Sequence, residues 1–290
     1  MKLVTYRTSD SDRVGAVDVE RQVVRPLLEP AGDLLSLIQD WPAVAPALVF
    51  AADPVPLDGI ELRAPLQPRR DVFCVGKNYQ DHSGEFARSG FDATGKGATD
   101  EIPEHPIVFT KSTGSVVGPG APIDPHLDLT ESLDYEIELG VIIGRTGRGI
   151  AAADVPAHVW GYTIVNDVTA RDLQRAHRQW YIGKSLDTFC PMGPWAVTAD
   201  EVDLADLTIR CWVNDELRQD GHTRDLIFDV PTLVSTISAG ITLHPGDVLA
   251  TGTPAGVGIG FDPPRFLRPG DVVAGEITEL GRLVNRVADA

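Results

Sequence analysis

The run Ser132 to Gly144, SLDYEIELGVIIG, constrains the fold more than any other stretch of the chain. Tyr135, Ile137 and Leu139 alternate with Glu136 and Glu138, a period of two that predicts a β-strand. Both carboxylates then share one face, with Cα atoms roughly 7 Å apart. Leu139 to Ile143 is nearly all apolar, as in a strand covered on both sides. Two neighbouring carboxylates beside a core are costly unless a cation compensates them. From this stretch alone two readings stand. The simpler is a solvated outer face of an antiparallel strand; the other is a hard divalent cation held by oxygen ligands. A second predicted strand, Trp160 to Val168, shifts the balance towards the cation. It ends in Asn166-Asp167 and is followed by a short helical stretch, Thr169 to Gln174. Asp167 supplies a third carboxylate, and a Glu, Glu, Asp set leaves open positions for a chelating substrate, as in catalytic Mg²⁺ sites.

The chain has 290 residues and a formal net charge of −17. That length fits one large domain, or a small one beside a larger one. No basic patch is visible, which argues against nucleic acid, whereas an anionic substrate stays open because a bound cation inverts the local field. No apolar run is long enough to span a bilayer, and the first residues, MKLVTYRTSD, lack the apolar core of a signal peptide. Cys74, Cys190 and Cys211 are odd in number and far apart. They form neither a disulfide framework nor a zinc motif and fit a reducing cytoplasm, where the protein is expected.

Residues 1–67 read as a small N-terminal α/β unit. Leu3 to Tyr6, Val14 to Val19 and Val23 to Pro26 are predicted strands; Asp33 to Ile38 and Ala43 to Ala51 are predicted short helices. A Pro-punctuated connector follows, and residues 68–290 form the larger unit. Within it, Asp71 to Val75 is a short buried strand. The glycines at 84, 90, 95 and 97, with Asp92, Asp100 and Glu101, predict a mobile polar lid from Ser83 to about His105, with Glu85 displaced from His82 when no ligand is bound. Ile107 to Thr110 resumes as a strand, and Asp172 to Ser185 reads as irregular. Asn214-Asp215 joins a predicted hairpin. Val230 to Ala239 is a helix with Pro231 where proline is tolerated. Val248 to Ala250 is a strand that enters Thr251-Gly252-Thr253-Pro254-Ala255-Gly256, and a last hairpin turns at Leu280-Gly281. Strands outnumber helices, and their spacing suits a β-rich barrel or roll rather than βαβ units.

Several groups could carry chemistry. His82 and Glu85 stand three apart, so on a helical turn the carboxylate can orient the imidazole as a base towards water; the plain alternative is a surface helix start. Lys184, between Gly183 and Ser185, could anchor a carboxylate or stabilise an enolate, or be a solvated loop lysine. The TGTPAG run offers free N–H groups suited to a carboxylate, or is a plain turn. No P-loop, zinc motif or dinucleotide fingerprint occurs, and the serines lack a nucleophile elbow.

The order of these motifs is more telling than any one of them. GKNYxDHxxE, FxKxxxSVxGP, DYExELGVxIG, GYTxVNDVTARDLQ, GKSLDTFCPMGP, TGTPAGVG and PGD follow one another, and the series closely resembles the fumarylacetoacetate hydrolase family from about Asp71 to the C-terminus. The resemblance implies an α+β, β-rich fold: a mixed β-sandwich roll or barrel as catalytic domain, a small N-terminal domain, and a homodimer. It implies metal ligands at Glu136, Glu138 and Asp167 for Mg²⁺ or Mn²⁺, with Ca²⁺ as a further option. It implies a His82–Glu85 dyad, a catalytic Lys184, substrate contacts at Gln174 and Thr253, and Lys111 near the pocket. The extended segment Ser89 to His105 departs from the family pattern, so the substrate tail is left open.

The reading that follows is a metal-dependent hydrolase. It would cleave the C3–C4 bond of a 2,4-dioxo acid, an acylpyruvate such as the fumarylpyruvate of aromatic catabolism, with His82 activating water and Lys184 stabilising the pyruvate enolate. The same enolate serves an oxaloacetate decarboxylase or tautomerase, or a 2-hydroxy-dienoate isomerase or hydratase, which is the alternative. A non-catalytic binder of metal–oxo-acid complexes is a third reading; the presence of His82, Glu85 and Lys184 beside the three ligands argues against it.

Overall fold

The computed structural model describes residues 1–30, 32–91 and 102–289. Its centre is the antiparallel pair Ile137–Ile143 and Val159–Asn166, in register from Ile137 opposite Asn166 to Ile143 opposite Val159. Both strands are buried along their whole length. Leu139, Val141 and Ile143 join one apolar cluster and Ile142 the other, so the strand is covered on both faces, as its unbroken apolar run requires.

The sheet grows outward on both sides of this pair. One side continues through Cys190–Thr198, Lys2–Arg7, Asp12–Asp18, Val23–Glu29 and Val49–Phe50; the other through Val248–Ala250, Val72–Gly76 and Ile107–Lys111. The first strand of the chain pairs with Cys190–Thr198 at Leu3 opposite Ala196, so residues 1–67 extend the central sheet through backbone hydrogen bonds. A second, four-stranded sheet runs Glu216–His222, Thr208–Val213, Val272–Ile277 and Gly281–Arg286. Its inward residues Ile209, Cys211, Val273 and Ile277 pack into the larger cluster beside Ile137. The close approach needs a glycine at the contact: a Cβ on Gly275 would lie 2.8 Å from Ile137 Cγ1. The result is the β-rich architecture expected from strand spacing, with the mixed sheet that the family resemblance implies.

Both expected hairpins form. Asn214 and Asp215 take φ of 49° and 67°, the left-handed pair that a two-residue hairpin turn requires and that Asn and Asp tolerate. Val230–Ser238 is a helix capped by Asp229, whose side chain accepts from Thr232 N, with Pro231 in the first turn. Three local expectations need correction. Ala43 to Ala51 is not one helix: Trp41–Val44 and Ala45–Ala47 are single turns, and Val49–Phe50 pairs with Val23–Glu29. Pro46 cannot continue an α-helix, and edge pairing claims the apolar pair beyond it. Asp172 to Ser185 is not irregular but carries two short helices, Arg171–His177 and Tyr181–Lys184. The start of the expected lid is also ordered: Gln80–Arg88 is a helix that buries His82, Ser83, Gly84 and Phe86. Phe86 meets the Trp180 edge at 6.1 Å, which anchors the helix despite its glycine. Residues 92–101 of the expected lid lie outside the described residues. Among the described residues no helix is long and apolar enough to cross a membrane.

The three cysteines lie fully inside these clusters at 0 % exposure. Burial pushes the Cys190 thiol up to about 12 and the Cys74 and Cys211 thiols well above their usual range. Thiolate is the reactive form, so an aromatic disulfide reagent at pH 8 is expected to modify none of the three in the native protein and all three in denaturant. Stoichiometric colour release within minutes under native conditions would contradict this packing.

Candidate metal centre

The site forms where the two central strands end together. The register places Glu136, Glu138 and Asp167 at one edge of the pair, and Asp167 N donates to Glu136 O at 2.8 Å. Asn166 turns its side chain back to accept from Glu136 N at 3.0 Å, which fixes the start of the ligand strand. One carboxylate oxygen from each of Glu136, Glu138 and Asp167 can be chosen so that all lie within 4.8 Å of one another, and all three residues are buried. The solvated-face alternative for Glu136 and Glu138 is therefore excluded; they are 4 % and 1 % exposed.

Cations surround the carboxylates. Lys184 Nζ donates to Glu136 Oε2 at 2.8 Å and to Asp167 Oδ2 at 2.7 Å. Lys111 Nζ donates to Asp167 Oδ1 at 2.6 Å. Arg171 Nη2 lies 2.5 Å from Glu136 Oε1, and its Nε donates to Asp134 Oδ2 at 2.8 Å. Asp134 also accepts from the Gly258 and Ile259 amides at 2.6 and 3.1 Å. Four buried carboxylates thus face three buried cations, one negative charge in excess.

That excess settles on Glu138. Its partner is the Gly252 N–H, 2.8 Å from Oε2; Oε1 has no hydrogen bond among the described residues. Burial, then the charges of Asp167 and Glu136, push its carboxyl well above the usual range. Burial would raise Glu136 too, but Arg171, Lys184 and His82 overcome it and hold that carboxyl well below the usual range. Burial alone would lower Lys184; Asp167 and Glu136 reverse this and raise it, so the ammonium stays protonated. An all-oxygen donor set with one unpaired charge fits a hard divalent cation such as Mg²⁺ or Mn²⁺.

The other expected residues fall around this core. His82 Nδ1 lies 3.6 Å from Glu85 Oε2, and Nε2 lies 3.9 Å from Glu136 Oε1. The ring therefore stands between the Glu85 and Glu136 carboxylates. Glu85 is close to His82 but not hydrogen-bonded to it: Nδ1 is buried without a hydrogen-bond partner among the described residues, and the Gly256 N–H holds the Glu85 carboxylate by both oxygens instead, at 2.9 and 3.1 Å. The TGTPAG segment does cradle carboxylates, but they are the protein's own Glu138 and Glu85. Gly252 needs φ of +100° for this, and a Cβ there would lie 2.8 Å from Asn78 Cβ. Gln174 is buried and accepts from Arg171 Nη1 at 3.3 Å. The Thr253 hydroxyl donates to Ile137 O and accepts from Gln219 Nε2, both at 2.8 Å. Lys111 is placed differently from the expected substrate contact: it is 0 % exposed, and its ammonium also donates to Val168 O and Lys184 O. All three of its protons are committed to protein acceptors.

Sequence reasoning missed Asp134, Arg171 and Gln219. Gln219 is fully buried and ties Ile137 N to Thr253 and Pro254; an isolated Gln in a hairpin strand carries no signal of this. Asp134 and Arg171 stand inside the quoted motifs, and a count of the cations needed for buried carboxylates points to the arginine.

Residues 71–288 match the family model described as fumarylacetoacetate (FAA) hydrolase C-terminal. The chain is 48 % identical over 233 residues to oxaloacetate tautomerase YisK of Bacillus subtilis, covering 80 % of this chain and 74 % of that protein. A solved structure named fumarylacetoacetate hydrolase, from Exiguobacterium antarcticum, superposes with a TM-score of 0.84 at 42 % identity, covering all of both chains. A 2-hydroxyhepta-2,4-diene-1,7-dioate isomerase from Mycobacterium marinum superposes with a TM-score of 0.78 at 34 % identity, covering 100 % of this chain and 98 % of that one.

The charge excess has a stability consequence. Because the Glu138 carboxyl is raised in the folded protein, its contribution is full below the unfolded value of about 4.3 and is lost as pH rises through the folded value. Glu138→Gln is therefore expected to match the parent's Tm near pH 4 and exceed it at pH 8 in chelator, by roughly 2–4 °C. If the three carboxylates hold Mg²⁺ or Mn²⁺, the parent should gain in Tm on adding the ion and the same variant should not. Calorimetry with and without chelator checks both, and a lower Tm at pH 8 in chelator contradicts the assignment.

Proposed function

The chain belongs to the fumarylacetoacetate hydrolase family, and we propose that it is a metal-dependent tautomerase that interconverts the enol and keto forms of oxaloacetate or a similar 2-oxo dicarboxylic acid. The observation that carries this is Lys184, an ammonium kept protonated between Glu136 and Asp167, with an imidazole on the other side of Glu136. Such a pair offers a donor for a developing enolate oxygen and a base for the adjacent carbon. The similarity to an oxaloacetate tautomerase and to a diene-dioate isomerase supports the same reading.

Glu136, Glu138 and Asp167 would hold the cation, which supplies Lewis-acid polarisation of a carbonyl oxygen. The rest falls to the chain's own groups. Glu85, held by Gly256, favours the tautomer with the proton on His82 Nδ1. Nε2 is then free to take a proton from substrate C3. As that C–H bond breaks, its electron pair forms the C2–C3 double bond and the carbonyl pair moves to O2. Lys184 Nζ donates a hydrogen bond to that oxygen and stabilises its charge. Passing that proton from Nε2 to O2 gives the enol; its return from O2 through Nε2 to C3 gives the ketone. Burial of His82 and Lys184, 5 % and 2 % exposed, keeps bulk water from competing for the proton.

The second reading, hydrolysis of an acylpyruvate, is favoured by one feature: the His82–Glu85 pair is equally suited to activating water. The substrates separate the two. Loss of enol absorbance from oxaloacetate with Mn²⁺, faster than the uncatalysed rate and without pyruvate, is the expected outcome. Pyruvate from acetylpyruvate or fumarylpyruvate, with no effect on the enol, would replace the proposal by hydrolysis. Lys184→Met should lower kcat for enol loss by about 10²–10³, and Glu85→Gln by about 10–10², with the Mn²⁺ affinity of Glu85→Gln unchanged. A Glu85→Gln protein with full activity would remove the dyad from the mechanism.

A further inference from the structure

Each ligand carboxylate has one oxygen held by a donor of the surrounding scaffold. Asp167 Oδ1 takes Lys111 Nζ at 2.6 Å. Glu138 Oε2 takes the Gly252 amide at 2.8 Å. Glu136 Oε1 takes Arg171 at 2.5 Å, with His82 Nε2 at 3.9 Å. The opposite oxygens of Glu136 and Asp167 face Lys184, and Glu138 Oε1 has no hydrogen-bond partner among the described residues.

Lys111 is the most tightly fixed of these donors. It ends the strand Ile107–Lys111 and is 0 % exposed. Its ammonium also donates to Val168 O at 3.0 Å and, in a close contact, to Lys184 O. The Lys184 carbonyl is the orphan acceptor at the end of the short helix Tyr181–Lys184. An ammonium with three donors and three buried acceptors cannot leave without stranding all of them.

We propose that Lys111 sets the denticity of Asp167, and with it the ionic preference of the centre. Asp167 Oδ1 is bound to an ammonium locked by two further backbone acceptors, whereas Oδ2 is bound to Lys184, whose ammonium bridges it to Glu136 Oε2; a cation that takes the place of the Lys184 ammonium meets Asp167 through Oδ2 alone, so the centre presents three single-oxygen carboxylates. Mg²⁺, and Mn²⁺ with it, suit near-octahedral sites of single-oxygen ligands, whereas Ca²⁺ gathers about six to eight oxygens and gains from bidentate carboxylates. A cation bridging both Asp167 oxygens would also lie closer to a like charge, in a site with little water to screen it. Lys111 is then a positioning residue that selects small octahedral cations over Ca²⁺. The inference rests on the metal reading of the site and not on which reaction the metal serves.

The test is parallel calorimetric titration of the full chain with Mn²⁺, Mg²⁺ and Ca²⁺, in the parent, Lys111→Met and Lys111→Gln. Removing a positive charge tightens binding of every divalent cation, so the ratio of Kd values is the reading. The parent should prefer Mn²⁺ and Mg²⁺ over Ca²⁺. Lys111→Met should move the ratio towards Ca²⁺ by about tenfold, equivalent to about 1.4 kcal/mol. Lys111→Gln keeps a neutral donor at Oδ1 and should move it less; it also serves if Lys111→Met does not fold. Tb³⁺ luminescence lifetimes in H₂O and D₂O count coordinated waters, and Lys111→Met should show about one fewer than the parent as Asp167 becomes bidentate. An unchanged ratio and water count in a folded variant would overturn the proposal. No divalent binding by the parent would overturn the metal centre itself, a failure distinct from a parent that binds while the Lys111 variants show no shift in preference.

Discussion

The structure depends on compensation of buried negative charge. Asp134, Glu136, Glu138 and Asp167 are drawn out of water at the end of the central strand pair, a placement no apolar packing could hold by itself. Arg171, Lys111 and Lys184 make it tenable, each within hydrogen-bonding or ion-pair distance of a carboxylate. The balance is deliberately incomplete in chemical effect: one carboxylate, Glu138, has an amide rather than a cation as its partner.

The segment Thr251 to Gly256 joins this charge cluster to the rest of the site. It leaves the strand Val248–Ala250 and passes its amides to Glu138 and Glu85 in turn. Its Thr253 and Pro254 are pinned by Gln219 from the second sheet. The ligand strand, the helix carrying His82 and the second sheet therefore meet in one loop. Left-handed glycines at 252 and 256 permit the sharp turns that aim those N–H groups inward. The imidazole, the ammonium and the buried carboxylate oxygens are thereby held within a few ångströms of one another, the pre-positioning that the proposed proton transfer would need.

Much of this was legible in the residues. Period-two alternation around Glu136 and Glu138 marked the ligand strand, and Asn214-Asp215 marked a hairpin turn whose backbone then took the expected left-handed pair. The ordered series of motifs carried the family. Less legible were segments where local composition pointed one way and packing another. The helix Gln80–Arg88 contains Ser83 and Gly84 side by side at its centre, yet Phe86 locks onto Trp180 and Glu85 onto Gly256. The short strand Val49–Phe50 follows two prolines, but the residues it pairs with, Leu27 and Glu29, lie far back in the chain.

By itself the sequence determined the β-rich fold, the three carboxylates that could hold a cation and the presence of a histidine, a glutamate and a lysine beside them. These follow from local periodicity and from motif order, both written along the chain. Only the tertiary structure decided which cation neutralises which carboxylate. Lys111 meets Asp167 across 56 positions of chain and Arg171 meets Asp134 across 37, and such pairings arise from strand register and from the cost of burying charge unpaired, neither of which a linear pattern records. The same reason moved Lys111 from the pocket wall into the scaffold of the site: in a dry interior three acceptors had to be satisfied, and its ammonium was the donor within reach.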